Sequence, residues 1–490
     1  MEKREVSSTY DRVLRLTSLF GSVQALALLG SIIRTKIVTW LLGPTGWGLV
    51  SLLNSSVKLV SDSTNLGIPI SGVRSMSEAA EENRLNEVRR IRTWSLLTAA
   101  AGLLLCLLAA PLLDSWTFSW GDHRLHFVCL SPVVALYALA GGETAILKGT
   151  QQIQPLARLS LWMVALSLVV SVPLYWLWGE SAAVPVLLLM ALGQWLLTLR
   201  WSTRCFPYRL HDYLHLHDLD GRRLVGLGMA FVLAGVMGSG AEFAVRSFLN
   251  NSGGQSVVGL YSAGYAMLVT YGSMVFASME TDFYPRLSAS WHEGAGAVNT
   301  IVNRQSEVLL LLASPVALLL MVGLPLLLPL LYSGRFLPAL GMMQVASLAL
   351  FTRALKLPVA YMPLARGDSW FYLMMEAIYD VVMVSLVVSG YLHWGLTGTG
   401  YALLGASVFD LVLLWCCMGL RYGYRPSRSL LGCALFQLPI GVATWLAITH
   451  VETTWAYCLV SAVAVALSGG GTALILKLKI KKQQSQMIAL

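Results

Sequence analysis

Apolar runs of about twenty residues or more follow one another along nearly the whole chain, divided by short polar breaks. A run of that length crosses a hydrocarbon core roughly 30 Å thick as an α-helix. The pattern predicts fourteen spans, at 13–42, 46–73, 93–113, 127–147, 155–178, 183–202, 224–250, 255–285, 305–332, 337–364, 369–392, 396–420, 429–450 and 454–476. The expected fold is an all-α polytopic membrane protein.

The polar positions repeat. A shift of 212 residues carries Arg34 onto Arg246, Arg74 onto Arg286, Glu81 onto Glu293 and Arg92 onto Arg304 without a gap. A second register, 218 residues, carries Lys148 onto Arg366 and Trp176 onto Trp394, so a six-residue insertion reconciles the two. Equivalent positions are six spans apart and share one orientation, which predicts two six-helix bundles related by a parallel pseudo-two-fold repeat, plus two C-terminal helices. The expected division is a bundle at 1–202, a cytoplasmic linker at 203–223, a second bundle at 224–420, and two further helices with a basic tail at 421–490.

Composition agrees with the pattern. Of 490 residues 56% are hydrophobic and 12% charged, and the mean hydropathy is +0.67, beyond what a soluble domain of this size carries without aggregating. The segments expected inside hold 26 of the 34 basic residues, the outward ones only Arg124 and Arg335. That bias predicts both termini in the cytoplasm, and the first span, which lacks a small-residue cleavage site, is expected to be retained. The net charge of +9 follows from the same bias and from attraction to anionic membrane lipids, so it implies no nucleic-acid partner. The seven cysteines form no C-x-x-C and read as small apolar residues.

Outward loops are short; the one at 114–126 has about thirteen residues. That leaves no room for the large external loop on which membrane polymerases, ligases and lipid-dependent glycosyltransferases usually carry their chemistry. The charged loop at 75–92 reads as a short solvated helix. In the long polar segment 201–223, His211 and His215 stand one turn apart with His217 beside them, a weak metal-ligand spacing that a polar tether explains equally well. No metal site is assigned.

Six basic residues fall within spans: Arg34, Lys36, Lys58, Arg246, Arg353 and Lys356. A charge at the bilayer centre costs about 2.5–3.5 kcal/mol or more, so it persists where it faces a partner or a wet cavity. Structural ion pairs, Lys58 with Asp62 and Glu242 with Arg246, are the plain account of four charged groups. Arg353 and Lys356 have no acidic neighbour in their own helix, and the set suggests an excess-positive interior facing an anion such as pyrophosphate. Arg34, Lys58, Arg246, Arg353 and Lys356 are the candidate pyrophosphate-binding residues, with Arg34 and Arg246 a symmetric pair. Glu242 and Asp62 are the candidates for coupling to an ion, H+ or Na+; no other cofactor is expected and no catalytic residue is assigned.

The stretch from Arg34 through Leu42-Gly43-Pro44-Thr45-Gly46-Trp47-Gly48-Leu49, then Leu66-Gly67-Ile68-Pro69 and Arg74, is similar to the opening helices of the polysaccharide-biosynthesis (Wzx-like) oligosaccharide flippases, within the superfamily that includes the MATE exporters. Val258-Gly259-Leu260-Tyr261-Ser262-Ala263 and Tyr284-Pro285-Arg286-Leu287-Ser288 echo it in the second half. The resemblance covers nearly the whole chain and implies a V-shaped pair of bundles around a cationic cavity. It implies a bacterial inner-membrane protein, not an enzyme, that moves an undecaprenyl-pyrophosphate-linked oligosaccharide to the outer leaflet by alternating access for O-antigen assembly, with a glycan polymerase or ligase as partner. Lipid II flippases, also similar, place several arginines in spans one, two and eight; here span two offers Lys58 and span eight no basic residue before Arg286, which argues against lipid II. The rival readings are a MATE-like ion-coupled drug/cation antiporter, which would want an acidic cavity, an enzyme of glycan assembly, and a structural scaffold.

Overall fold

In the computed structural model, residues 2–119, 121–207, 222–451 and 453–488 are described, so His211, His215 and His217 lie outside the described residues. Thirteen α-helices and no strand occur among them: α1 (Glu2–Thr64), α2 (Ile68–Glu78), α3 (Arg84–Thr117), α4 (Arg124–Gly149), α5 (Ile153–Trp178), α6 (Ala183–Cys205), α7 (Arg222–Ser290), α8 (Ala295–Leu331), α9 (Leu340–Ser347), α10 (Ala349–Arg366), α11 (Ser369–Tyr422), α12 (Arg428–His450) and α13 (Thr454–Ile488). Nine helical stretches among the described residues are long and apolar enough to cross a membrane, or ten if the pair at 334–347 and 349–366, bent by 43°, forms one span. Large apolar side chains stand bare on these helices, Leu420 at 91% exposure and Leu108 at 80%. Such faces are stable against lipid.

Three helices are too long for one crossing. The 63 residues of α1, 69 of α7 and 54 of α11 would extend about 80–100 Å if straight. Each is interrupted by a glycine in a conformation closed to L side chains: Gly43 (φ 64°, ψ −171°), Gly254 (φ 80°, ψ 174°) and Gly395 (φ 60°, ψ −146°). Pro44 follows the first, at a helix start where its missing N–H and fixed φ cost nothing. The sequence expectation of one span over 46–73 fails at its inner end. Leu66 (φ 46°) and Gly67 (φ 73°) break it, and Asn65 Oδ1 accepts from the Gly67 N–H at 2.9 Å, so α2 starts a separate helix with Pro69 in its first turn.

The chain divides into two compact units, Met1–Gly259 with Leu331–Ser333, and Leu260–Leu330 with Gly334–Leu490. In the first, α3 packs along α4, α4 along α2 and α6, and α1 along α5. Ile68, Met76, Val88, Ile91 and Ile146 form an apolar cluster, with Trp94 and Phe206 packed against it. Near it lies a buried ion pair. Arg92 Nε donates to Glu143 Oε1 at 2.9 Å and Nη2 to Oε2 at 3.2 Å, while Nη2 also reaches the Phe206 carbonyl at 3.1 Å. The sequence had placed Arg92 with the solvated loop; it is 6% exposed. Within that loop Arg84 pairs with Glu81 at the exposed surface, while Arg90 and Glu87 pair half-buried.

The post-Gly43 half of α1 crosses α7 at backbone contact. A Cβ on Gly48 would stand 1.9 Å from the Gln255 carbonyl oxygen, and one on Gly259 1.8 Å from that of Pro44. The crossing uses the same four-residue spacing on both helices. In the second unit α10 and α9 pack on α11, and α12 on α13. Polar groups there meet each other: Ser468 donates to Gln437 Oε1 at 2.7 Å, Asn303 Nδ2 to the Arg425 carbonyl at 2.9 Å, and Lys479 pairs with Glu307.

Candidate functional site: a polar cavity in each unit

In the first unit, residues 44–64 of α1 and residues 242–246 of α7 bring four charged side chains near one another. Lys58 and Asp62 are one turn apart on α1, Glu242 and Arg246 one turn apart on α7. Lys58 Nζ lies 3.3 Å from Glu242 Oε1, and Arg246 Nη1 lies 3.0 Å from Oε2. Two cations therefore share one carboxylate. The expected Glu242–Arg246 pair forms; Lys58 takes Glu242 from another helix instead of Asp62 from its own. Asp62 keeps a long 3.5 Å bond from Asn65 Nδ2, with Ser239 beside it.

Lys58 and Asp62 also line a cavity of about 430 Å³ with Asn54, Tyr137, Thr144 and Lys148. The titratable side chains on its wall besides Tyr137 are two lysines and one aspartate. Arg34, in the first half of α1, lies beside Tyr137 and Tyr175 and donates from Nε to Ser171 Oγ at 3.2 Å. No carboxylate stands within ion-pair distance of Arg34 among the described residues. Sequence reasoning missed Lys148, which it had counted as an inside loop residue, and Tyr137, which carried no signal.

The second cavity, about 340 Å³, lies in the second unit between α7, α10 and α11. Arg353, Lys356 and Ala360 present one face of α10 to it; Tyr372, Glu376 and Tyr379 present one face of α11. Lys356 is ion-paired with Asp410, and its Nζ stands 4.4 Å from the centre of the Tyr379 ring. Arg353 has its guanidinium 5.2 Å from the centre of the Phe276 ring and no ion-pair partner among the described residues. The sequence looked for acids only within the helix of Arg353 and Lys356. The facing helix supplies Asp410 and Glu376, so this wall holds two cations and two carboxylates. Thus the five candidate basic residues fall in two groups, Arg34, Lys58 and Arg246 in one unit and Arg353 and Lys356 in the other. Among the described residues no cluster of histidine, cysteine or carboxylate side chains has the grouping that holds a metal.

A sequence model for polysaccharide biosynthesis proteins matches residues 37–341, more than half of the chain. The chain belongs to that family. No curated protein matches it by sequence. Its fold is similar to that of an inward-facing multidrug resistance MATE family transporter of the MOP superfamily, with a TM-score of 0.69 and 14% identity over 80% of this chain and 94% of that one. It is similar also to the lipid II flippase MurJ in an inward closed conformation, TM-score 0.65 and 13% identity, over 94% of this chain and 99% of that one. A MOP superfamily transporter from Pyrococcus furiosus, described by the reverse polarity of its binding pocket, gives a TM-score of 0.53 at 14% identity over 83% and 93%. At such identities the likeness is one of fold. The protein is a multi-pass membrane protein with the helical architecture of these transporters.

Proposed function

We propose that the protein is a flippase that moves an undecaprenyl-pyrophosphate-linked oligosaccharide from the cytoplasmic to the periplasmic leaflet of a bacterial inner membrane by alternating access, supplying surface polysaccharide assembly. The observation that carries this reading is a pair of arginines on apolar helices, Arg34 and Arg353, with no carboxylate at ion-pair distance among the described residues, in a chain of the polysaccharide biosynthesis family. A guanidinium kept in an apolar helix without an acid is suited to bind phosphate oxygens, and doing so needs no bond to be made or broken.

Lys58 and Arg246, joined through Glu242, share the first unit with Arg34, and Lys356 lines one cavity with Arg353 in the second. Glu242 is held between two cations, so of the two coupling candidates Asp62 is the one with room for a proton or Na+. The polyprenyl tail stays in lipid, because passage through water forfeits about 0.8 kcal/mol per CH₂.

The finer architecture belongs to the same proposal: fourteen crossings, reached by counting α1, α7 and α11 as two each and α9 with α10 as one, α2 being the inner end of the second. The parallel repeat is supported by backbone breaks that recur 211 residues apart at Gly43 and Gly254, and by Gly179 (φ 54°, ψ −133°) against Gly395. Bundles at 1–202 and 224–420, the linker 203–223, the additional 421–490, and cytoplasmic termini complete it. A glycan polymerase or ligase would take the product.

The test is a complementation assay in a host lacking its own flippase, with expression held equal. Arg34→Ala with Arg246→Ala should abolish surface glycan; undiminished glycan would remove these residues from the pathway. Export of organic cations by the wild type, with no glycan phenotype, would favour an antiporter instead.

A further inference from the structure

The cavity of the second unit has a chemistry that pyrophosphate alone does not use. Arg353 supplies an anion site at one place on its wall. Glu376 has no cation at ion-pair distance among the described residues and stands between Tyr372 and Tyr379, one helical turn from each. Asp410 is already occupied by Lys356. An ionised Glu376 accepts hydrogen bonds only. Tyr372 stands beside it as one donor, and its remaining lone pairs on the cavity wall suit a ligand that brings O–H or N–H donors.

Tyrosines supply flat apolar faces with a hydroxyl at the tip, the surface on which the C–H face of a pyranose ring rests. At about 340 Å³ the cavity is near the lower end of ligand sites, roughly 300–1,000 Å³, so it suits one ring and not a chain. A ligand with an anion at one end and neutral donors at the other is a glycosyl phosphate. A sugar carboxylate would meet Glu376 and Asp410, and like charges repel in a low-dielectric wall.

We propose that this cavity holds the sugar attached directly to the pyrophosphate, and that Glu376, flanked by Tyr372 and Tyr379, admits a neutral sugar rich in hydroxyl or amide donors while rejecting a uronic acid. The inference rests on the pyrophosphate reading above and deepens it.

Three soluble probes separate the two readings in equilibrium binding to the purified full-length protein: geranyl pyrophosphate, its N-acetylglucosamine conjugate and its glucuronic acid conjugate. For the wild type the N-acetylglucosamine conjugate should bind about tenfold or more tighter than geranyl pyrophosphate, and the glucuronic acid conjugate no tighter than it. Glu376→Gln should bring the first ratio close to one while geranyl pyrophosphate binds at least as tightly as to the wild type, since a carboxylate has left the wall, and that retained binding also shows that the variant is folded. Equal wild-type affinity for all three probes would overturn the sugar subsite and leave the pyrophosphate reading standing. Failure of the wild type to bind any of them would overturn both. Since the wild-type ratios need no variant, a poorly folding Glu376→Gln is replaced by Glu376→Asp, for which an unaltered ratio also counts against the role of Glu376.

Discussion

Replacing Gly48 by alanine strikes the crossing where the Lys58-bearing half of α1 meets α7 just past its break at Gly254. The added Cβ would lie 1.9 Å from the Gln255 carbonyl oxygen and 2.9 Å from the Gly259 nitrogen. A relaxed C···O contact needs about 3.3 Å, so the helices must part by roughly 1.4 Å. The obstacle is backbone, which cannot rotate aside as a side chain would. Overpacking of this kind costs about 1–3 kcal/mol, and the upper half of that range is expected here. Gly259→Ala should match it, since its Cβ would fall 1.8 Å from the Pro44 oxygen. Both changes open one gap, so the double variant should cost less than the sum. Gly432→Ala, where a Cβ meets nothing within 4 Å, is the control and should be neutral or slightly stabilising through helix propensity. Thermal unfolding in detergent, followed by intrinsic fluorescence, reads all four. Melting of Gly48→Ala together with Gly432→Ala would show that the crossing tolerates a Cβ and is not close-packed backbone.

Two further predictions concern charges. Arg92→Ala leaves Glu143 buried and unpaired and should destabilise the protein by about 3–5 kcal/mol, seen as lost monodisperse yield; Arg92→Met with Glu143→Leu should recover much of it, and no recovery would mean that the pair does more than hold helices. Asp368, outside the spans at the turn before α11, accepts from Tyr422 Oη at 2.6 Å and lies 3.4 Å from Arg421 Nη2, which together hold its carboxyl below the usual carboxylate range. A lowered folded pKa means stability present above the unfolded value, about 3.9, and lost as pH falls through the folded one. The melting difference between wild type and Asp368→Asn should therefore be small, because the group is exposed and screened, present at pH 7, and gone once the pH is well below 4; a difference independent of pH would contradict this.

Fold class was legible because membrane helices write themselves as long apolar runs, and the turns at Gly43-Pro44 and Gly395 carry residues that end a helix. The break at Leu66-Gly67 was legible too, in Asn65, Gly67 and Pro69, but the apolar residues around it masked it. What could not be read was pairing between helices. Lys58 meets an acid 184 residues away, Lys356 one 54 away and Arg92 one 51 away, and a single sequence shows only neighbours one turn apart. That is why the interior read as more basic than its walls are. Charge placement within spans was visible; which charges stay uncompensated required the fold.

In the proposed function, Arg34 and Arg353 draw a pyrophosphate-linked glycan across the bilayer. Purified protein in liposomes loaded with a fluorescent polyprenyl-pyrophosphate oligosaccharide tests it most directly, by the rate at which inner-leaflet lipid becomes accessible to an external glycosidase. Exposure should be faster with the wild type than in protein-free liposomes, and should fall to the protein-free rate for the Arg34→Ala, Arg353→Ala double variant. Wild-type exposure at the protein-free rate, or an unimpaired double variant, would contradict it.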